Sequence, residues 1–451
     1  MPARWLRLWF GFTEPVDRWT YFRHGLGLML FKYGVDALLV WIGTGRFWDP
    51  VAYLTPLLTV RQRFFEGAPL WLPAALLAVA LPFLWIGVSM SMRRAIDAGA
   101  SPKLALLFFI PVVNLLLMLG LCLAPSRQHN VPIVVERIQR SKDRMRSAML
   151  GVAASLGITL ITVGIGVYLR RSYSAGLFLG VPFTIGYISS YIYNYHANRA
   201  PVESLAMAIA SVMIAGGALV LFALEGAMCI AMAVPFAVVV AWPGAVLGRL
   251  IARRETFVPT SAGMVLLVPL VVSVEPRRSP PSHEVLTIVE IAAAPEVVWR
   301  HVVTFPDLPP PTEMLFRAGV AAPTRARIEG RGVGAIRYCD FTTGSFVEPI
   351  TAWEENRLLA FDITAQAPPM KELSPYRNVN PPHLDGYFRA THGEFRLIPL
   401  PDGRTRLEGR TRYVVDMFPQ PYWTLPARAI VTAIHARVLH HIQTLSEEAV
   451  H

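Results

Sequence analysis

Hydrophobic and polar residues follow two different textures along this chain, and the textures meet near residue 275. Before that point apolar residues run together over about 18 positions or more, the length that crosses a hydrocarbon layer as a helix. Seven such runs stand out, at residues 25–43, 70–89, 104–124, 148–168, 176–193, 202–224 and 226–247. An eighth and weaker one, residues 257–274, carries Pro259 and Pro269. Lipid offers no partners to open strand edges, so the runs predict a polytopic α-helical membrane bundle of seven or eight spans.

Beyond a proline-rich linker, Pro276-Arg277-Arg278-Ser279-Pro280-Pro281, the period shortens. Residues 284–292 alternate apolar and polar side chains as a half-buried strand does, and Pro295 opens a short helix, as proline favours the first helical turn. Further strands are expected at 326–329, 334–341, 345–354, 358–364, 387–399 and 405–417, with a hairpin turn at Pro401-Asp402-Gly403. The chain then reads as one long helix over 421–447. There Ala427, Ile430, Val431, Ile434, Val438, Ile442 and Leu445 form an apolar stripe at spacings of three and four. This order predicts an α+β domain in which a curved antiparallel sheet grips a long C-terminal helix. The division expected is a first membrane domain at 1–125, a basic loop at 126–147, a second membrane domain at 148–275, a linker at 276–283 and a soluble domain at 284–451.

Composition agrees with the pattern. Only 16% of the 451 residues are charged, against about 25% in ordinary globular domains. The net charge of +11 is spread along the ends of apolar runs, as membrane insertion favours, and is not gathered into the interleaved basic patch of a nucleic-acid binder. No nucleic-acid partner is expected. Cys122 and Cys229 lie inside apolar runs and Cys339 stands alone in the soluble part. No disulfide framework, metal spacing or cofactor motif follows from them. The first apolar run is long and lacks a small-residue cleavage signal, so no cleavable signal peptide is expected.

Charge also bears on orientation. Arg4, Arg7, Arg18 and Arg23, and the Arg93-Arg94 loop two runs later, read as cytoplasmic. The most basic stretch, 127–146, follows one further run. Either the run 104–124, interrupted by Pro111 and Asn114, is re-entrant, or the charge rule is broken here. The side of the soluble domain stays open, with a lean to the cytoplasm. Within the first run, Lys32 and Asp36 are four residues apart and share a helical face; they read as an internal ion pair or as part of a proton or ion relay.

Two resemblances attach to these residues. Trp19-Thr20-Tyr21-Phe22-Arg23, the loop Arg93-Arg94-Ala95-Ile96-Asp97-Ala98-Gly99-Ala100-Ser101 and the segment Ile110-Pro111-Val112-Val113-Asn114 resemble the bacterial inner-membrane family called domain of unknown function 805, over residues 10–125. That likeness implies a bacterial inner-membrane location and supplies no activity. In the loop, Asp97 is expected to cap the next helix and Gly99 to allow the turn. The run Thr287-Ile288-Val289-Glu290-Ile291-Ala292-Ala293-Ala294-Pro295-Glu296-Val297-Val298-Trp299, with the closing strand Gly403–Gly409 and the last helix, resembles the START-like or SRPBCC (polyketide cyclase/dehydrase) helix-grip superfamily. It implies a cavity between sheet and helix that holds an apolar ligand.

Candidate chemistry is sparse. Gly330-Arg331-Gly332-Val333-Gly334 joins two strands and reads as a hairpin, not as a phosphate cradle. His383 falls in a long insertion, 368–386, placed to act as a lid, and is a candidate acid or base for the enzyme reading. His392 and Glu394 are two apart on one strand and face one side, either as an acid–base pair or as a solvated face. Trp299, Tyr338, Asp340, Trp353, Tyr376, His383, Arg410 and Trp423 are the candidates for lining a ligand cavity. Three functions remain open: membrane-tethered binding of an apolar or lipid-like ligand, a cyclase-, dehydratase- or hydrolase-type enzyme on a hydrophobic substrate, and an envelope scaffold or sensor without a ligand. Membrane lipids are expected partners, and oligomeric state is not legible.

Overall fold

The computed structural model describes residues 2–54, 68–69, 71–109, 113–126, 131–221, 224–253, 270, 272, 279–372 and 381–450. A short helix α1 (Pro2–Phe10) precedes α2 (Arg18–Thr44), which Asp17 caps by accepting hydrogen bonds from the Trp19 and Thr20 amides. Then follow α3 (Pro50–Leu54), α4 (Trp71–Asp97), a 3-10 segment (Pro102–Phe109), α5 (Val113–Leu123), α6 (Val131–Val163), α7 (Val181–Asn194), α8 (Pro201–Leu221) and α9 (Ala227–Ala252). Among the described residues, six helices are long and apolar enough to cross a membrane: Arg18–Thr44, Ala78–Asp97, Ser141–Leu169, Gly176–Asn194, Pro201–Leu221 and Ala227–Ala252.

The seven or eight spans expected are not confirmed by these six. The run 104–124 does not form one helix. The 11 residues of α5 rise only about 16 Å, far short of a roughly 30 Å hydrocarbon core. Most of the eighth run, 257–274, lies outside the described residues. The two ends of the segment 98–126 instead meet at one end of the bundle. Gly99, at φ +74°, turns the chain back after α4. Arg94 then donates to the Leu121 carbonyl at 3.1 Å and also bonds the Ala124 carbonyl, while Ser126 Oγ meets Asp97 Oδ2 at 2.7 Å. Asp97 therefore pairs with Arg94 and Ser126 and does not cap the following helix. Residues 131–146 of the basic stretch are helical, the first half of α6.

Small residues set the tightest crossing in the bundle. A Cβ on Gly244 would sit 2.1 Å from the Phe183 carbonyl oxygen, one on Gly248 2.2 Å from that of Tyr187, and one on Gly186 2.0 Å from that of Ala241. Backbones of α7 and α9 meet directly there, which is how apolar helices associate where lipid removes the hydrophobic drive. The Lys32–Asp36 ion pair forms as its spacing implies, and Tyr53 donates to Asp36 Oδ2 at 2.9 Å.

The C-terminal part is an antiparallel seven-stranded sheet. Its strands are β1 (Ser282–Ile291), β2 (Pro323–Glu329), β3 (Ile336–Phe341), β4 (Gly344–Glu354), β5 (Leu358–Asp362), β6 (Phe388–Pro399) and β7 (Thr405–Val415). They lie in the order β1-β7-β6-β5-β4-β3-β2. Two short helices, α10 (Pro295–Val303) and α11 (Met314–Arg317), follow β1, and α12 (Gln420–Glu448) closes the chain. Bulges at Ile350/Ala352 and Ala390/His392 bend the strands, and the sheet wraps the apolar stripe of α12. Val438, Leu439 and Ile442 of that helix pack with Ile291, Val298, Leu359, Leu397 and Leu407 into one core.

A second core joins the two halves. Val163, Val167, Tyr173 and Leu219 of the bundle are buried together with Val285, Tyr387, Tyr413, Val415, Met417, Trp423, Ala427 and Val431 of the sheet and last helix. The domain thus sits packed on the end of the bundle opposite the hairpin at 98–126.

Candidate functional site: a buried cluster between bundle and domain

The loop between α6 and α7 projects Tyr173 from between two π-helical turns, Gly164–Leu169 and Gly176–Gly180. Glu225 sits in the tight connection between α8 and α9, and Cys229 one turn into α9. From the domain side come Glu372 and His383, the latter in the single 3-10 turn Pro382–Leu384. All five are buried. Tyr173 donates to Glu225 Oε1 at 2.6 Å. His383 Nδ1 lies 3.0 Å from Glu225 Oε2, and its Nε2 lies 3.1 Å from Glu372 Oε1. The ligand atoms of Glu225, Cys229 and His383 fall within 4.8 Å of one another. Close approach needs Gly226: a Cβ there would stand 2.0 Å from Glu372 Oε2.

Two carboxylates around one imidazole control its protonation. Burial alone would depress the His383 pKa, but Cys229, Glu225 and Glu372 outweigh it and raise the ring to about 12. Tyr173 is pushed up by burial and by the neighbouring Glu225 charge. Glu225 Oε2 and Glu372 Oε2 are buried and have no hydrogen-bond partner among the described residues.

Beside this cluster is a cavity of about 70 Å³ whose wall includes Cys229, Met232, Met370, His383, Trp423 and Ala427. It lies at the N-terminal half of α12, against α9. The space nearer the C-terminal half of that helix is filled by the core around Val298, Leu439 and Ile442, and by Arg337. Arg337 and Glu348, both buried, form an ion pair across β3 and β4, with the guanidinium 5.3 Å from the Phe361 ring centroid.

Of the residues singled out from sequence, His383 and Trp423 border the cavity. Trp299 is core, edge-on to Trp353 at 5.4 Å. Tyr338 lies beneath the Arg327 guanidinium at 4.1 Å, and Asp340 takes Arg325 at 2.7 Å. His392 pairs with Asp362 at 2.8 Å, while Glu394 pairs with Arg410 at 3.2 Å. Those last four residues sit on the face of the sheet away from α12, so His392 and Glu394 are not an acid–base pair in a cavity. Tyr376 lies outside the described residues. Tyr173, Glu225, Cys229 and Glu372 were not singled out for the site. The signal for Glu225 was present, an acid between two long apolar runs, but its partner is far away in the sequence.

No family model matches the chain, and no curated protein matches it. The likeness of the first third to domain of unknown function 805 therefore stands on its motifs alone. Solved structures match over the C-terminal part. A point mutant of norcoclaurine synthase from Thalictrum flavum is 16% identical, over 39% of this chain and 99% of that one, with a TM-score of 0.27. An aromatase/cyclase from Streptomyces is 15% identical, over 38% and 97%, with a TM-score of 0.25. A protein from Nitrosospira multiformis is 17% identical, over 38% and 100%, with a TM-score of 0.25. No reaction or ligand follows from values this low.

Proposed function

We propose that this is a membrane-anchored helix-grip protein that binds a small apolar ligand, or the tip of a longer one, where the domain meets the bundle. The observation that carries this reading is the cavity itself: its wall combines Cys229 and Met232 from a candidate membrane span with Met370, Leu384, Trp423 and Ala427 from the domain. Apolar walls with one convergent polar group are typical of ligand sites. Size limits the occupant. A cavity of about 150 Å³ takes a benzene, and this one measures about 70 Å³, so it admits a few carbon atoms, the tip of a longer apolar molecule and not the whole of a lipid. Tethering beside the bilayer raises the effective concentration of a membrane-borne ligand.

A reading as an enzyme has one observation in its favour, His383 between two carboxylates at the cavity wall. A general acid or base must reach the proton it moves, and both ring nitrogens of His383 are already faced by carboxylates, Glu225 at 3.0 Å and Glu372 at 3.1 Å. Binding is the better account.

The same proposal places the domain outside the cytoplasm, against the lean taken from sequence. With 98–126 re-entrant, Arg18, Arg93, Arg94, Arg144, Arg199 and Arg249 gather at one end of the bundle, joined by the Arg144–Glu203 pair and the Arg249 bond to the Arg199 carbonyl. The charge rule puts that end in the cytoplasm. Tyr173, Glu225 and the domain are at the other, and on this reading the apolar run 257–274 supplies the crossing that brings the chain back there from Arg249.

The test uses the full chain, because the isolated domain lacks one wall of the cavity. Protein purified in mild detergent is extracted with organic solvent and the extract analysed by mass spectrometry. A stoichiometric apolar molecule, lost in Ala427→Phe, is the expected result. A well-folded chain that carries nothing, and retains nothing after incubation with membrane lipids, overturns the reading.

A further inference from the structure

The five buried side chains at the junction do more than join two domains. A simple bolt would need one acid and one base. Here two glutamates, a tyrosine and a cysteine converge on one imidazole, and a Glu225 oxygen faces the ring at 3.0 Å with no hydrogen-bond partner among the described residues. Burying a carboxylate oxygen without a partner costs free energy.

We infer that Glu225, Cys229 and His383 form a binding site for a zinc ion, with His383 coordinating through Nδ1. Carboxylate, thiolate and imidazole are the donor types zinc selects. Two ligands on one tetrahedral zinc, each bonded at about 2.0–2.1 Å, stand roughly 3.3 Å apart; Glu225 Oε2 and His383 Nδ1 stand 3.0 Å apart. The surroundings fit as well. Glu372, at 3.1 Å from Nε2, accepts the proton on that nitrogen and leaves Nδ1 as the lone-pair atom, the arrangement that orients metal-bound histidines. Tyr173 donates to the other oxygen of Glu225 and fixes the carboxylate. The two carboxylates beside the ring, at 3.0 and 3.1 Å, attract a dication, since the Coulomb energy scales with charge.

Three protein ligands leave one zinc position open, as in sites where the ion meets water or a ligand. Cys229 and His383 both border the apolar cavity, so that position faces the space where a ligand would lie. The ion also joins a helix of the bundle to a turn of the domain. The site does not depend on the cavity being filled, so the two proposals fail separately.

Cobalt(II) tests it directly. Full-length protein in detergent, stripped with a chelator, is titrated with Co(II) in a Cys122→Ser background that leaves Cys229 as the thiol facing the cluster. The expected result is a thiolate-to-cobalt charge-transfer band saturating at one equivalent, tetrahedral visible bands, and displacement by one equivalent of Zn(II). Cys229→Ser abolishes the charge-transfer band, and Glu372→Gln weakens binding about 10- to 100-fold while keeping the band. Absence of the band in folded protein with Cys229 intact overturns the proposal, whatever the variants do. So does a band that survives Cys229→Ser.

Discussion

Arg337 and Glu348 face each other across β3 and β4 with almost no exposure, the guanidinium also bonding the Val303 carbonyl at 3.3 Å among Phe305, Phe361 and Phe395. Burial raises the Glu348 carboxyl, Arg337 pulls it back, and the pair exists only because each ion answers the other. Removing one partner strands a buried charge: Glu348→Leu is expected to cost about 3–5 kcal/mol. Replacing both, as Arg337→Met with Glu348→Leu, recovers most of it, and chemical denaturation of the chain reads both. His435 works the other way. Its ring lies between Thr287 Oγ1 at 3.1 Å and Thr411 Oγ1 at 2.8 Å, and burial lowers its pKa to about 4. The folded state therefore holds it neutral where the unfolded chain, with a pKa near 6.5, would protonate it. Its contribution is complete above about pH 6.5 and is lost as pH falls toward 4, about 3 kcal/mol in all. Unfolding midpoints measured across that window should fall with pH, and His435→Gln should flatten the curve.

Elements in the two halves are held by different means. In the C-terminal half, strand and helix boundaries follow side-chain period, and the expected strands fall within a few residues of those observed. Among the described residues of the bundle six helices are long and apolar enough to span, but nothing local in the sequence distinguishes the run 104–124 from a further one. What decides it is tertiary: the carbonyls at its end are claimed by Arg94, and Asp97 by Ser126. The α7–α9 crossing is likewise invisible in hydropathy, because glycine reads as neutral there. Gly244→Ala puts a methyl 2.1 Å from a backbone oxygen, so helix separation is expected to cost about 1–3 kcal/mol. A lower midpoint for thermal aggregation in detergent would show it, and an unchanged midpoint would refute the crossing.

At the scale of the molecule, sidedness is the prediction that connects both halves. A cysteine introduced at Glu355, an exposed turn of the domain, should react with a membrane-impermeant maleimide in intact expression cells. One at Lys103, on the basic end, should react only after permeabilisation. The reverse pattern would place the domain in the cytoplasm. The shared core of Val163, Val167 and Leu219 with Trp423, Ala427 and Val431 also implies that the domain alone exposes apolar surface. Residues 279–451 expressed without the bundle should bind a hydrophobic dye more strongly than the full chain does.

The sequence by itself determined that there is an apolar helical half and an α+β half, where most strands begin and end, and which stripe of the last helix is buried. Those features are local, because a period of two or 3.6 is carried by neighbouring residues. It also marked His383 and Trp423, whose types suit a cavity wall. Only the tertiary structure decided that His392 and Glu394 point away from the helix, since a β-strand does not say which face is covered. Only it brought Tyr173, Glu225 and Cys229 of the bundle to Glu372 and His383 of the domain. Those five residues span more than two hundred positions, and no spacing rule links them. Their meeting depends on the domain docking on the bundle, a fit of two surfaces that no stretch of either contains.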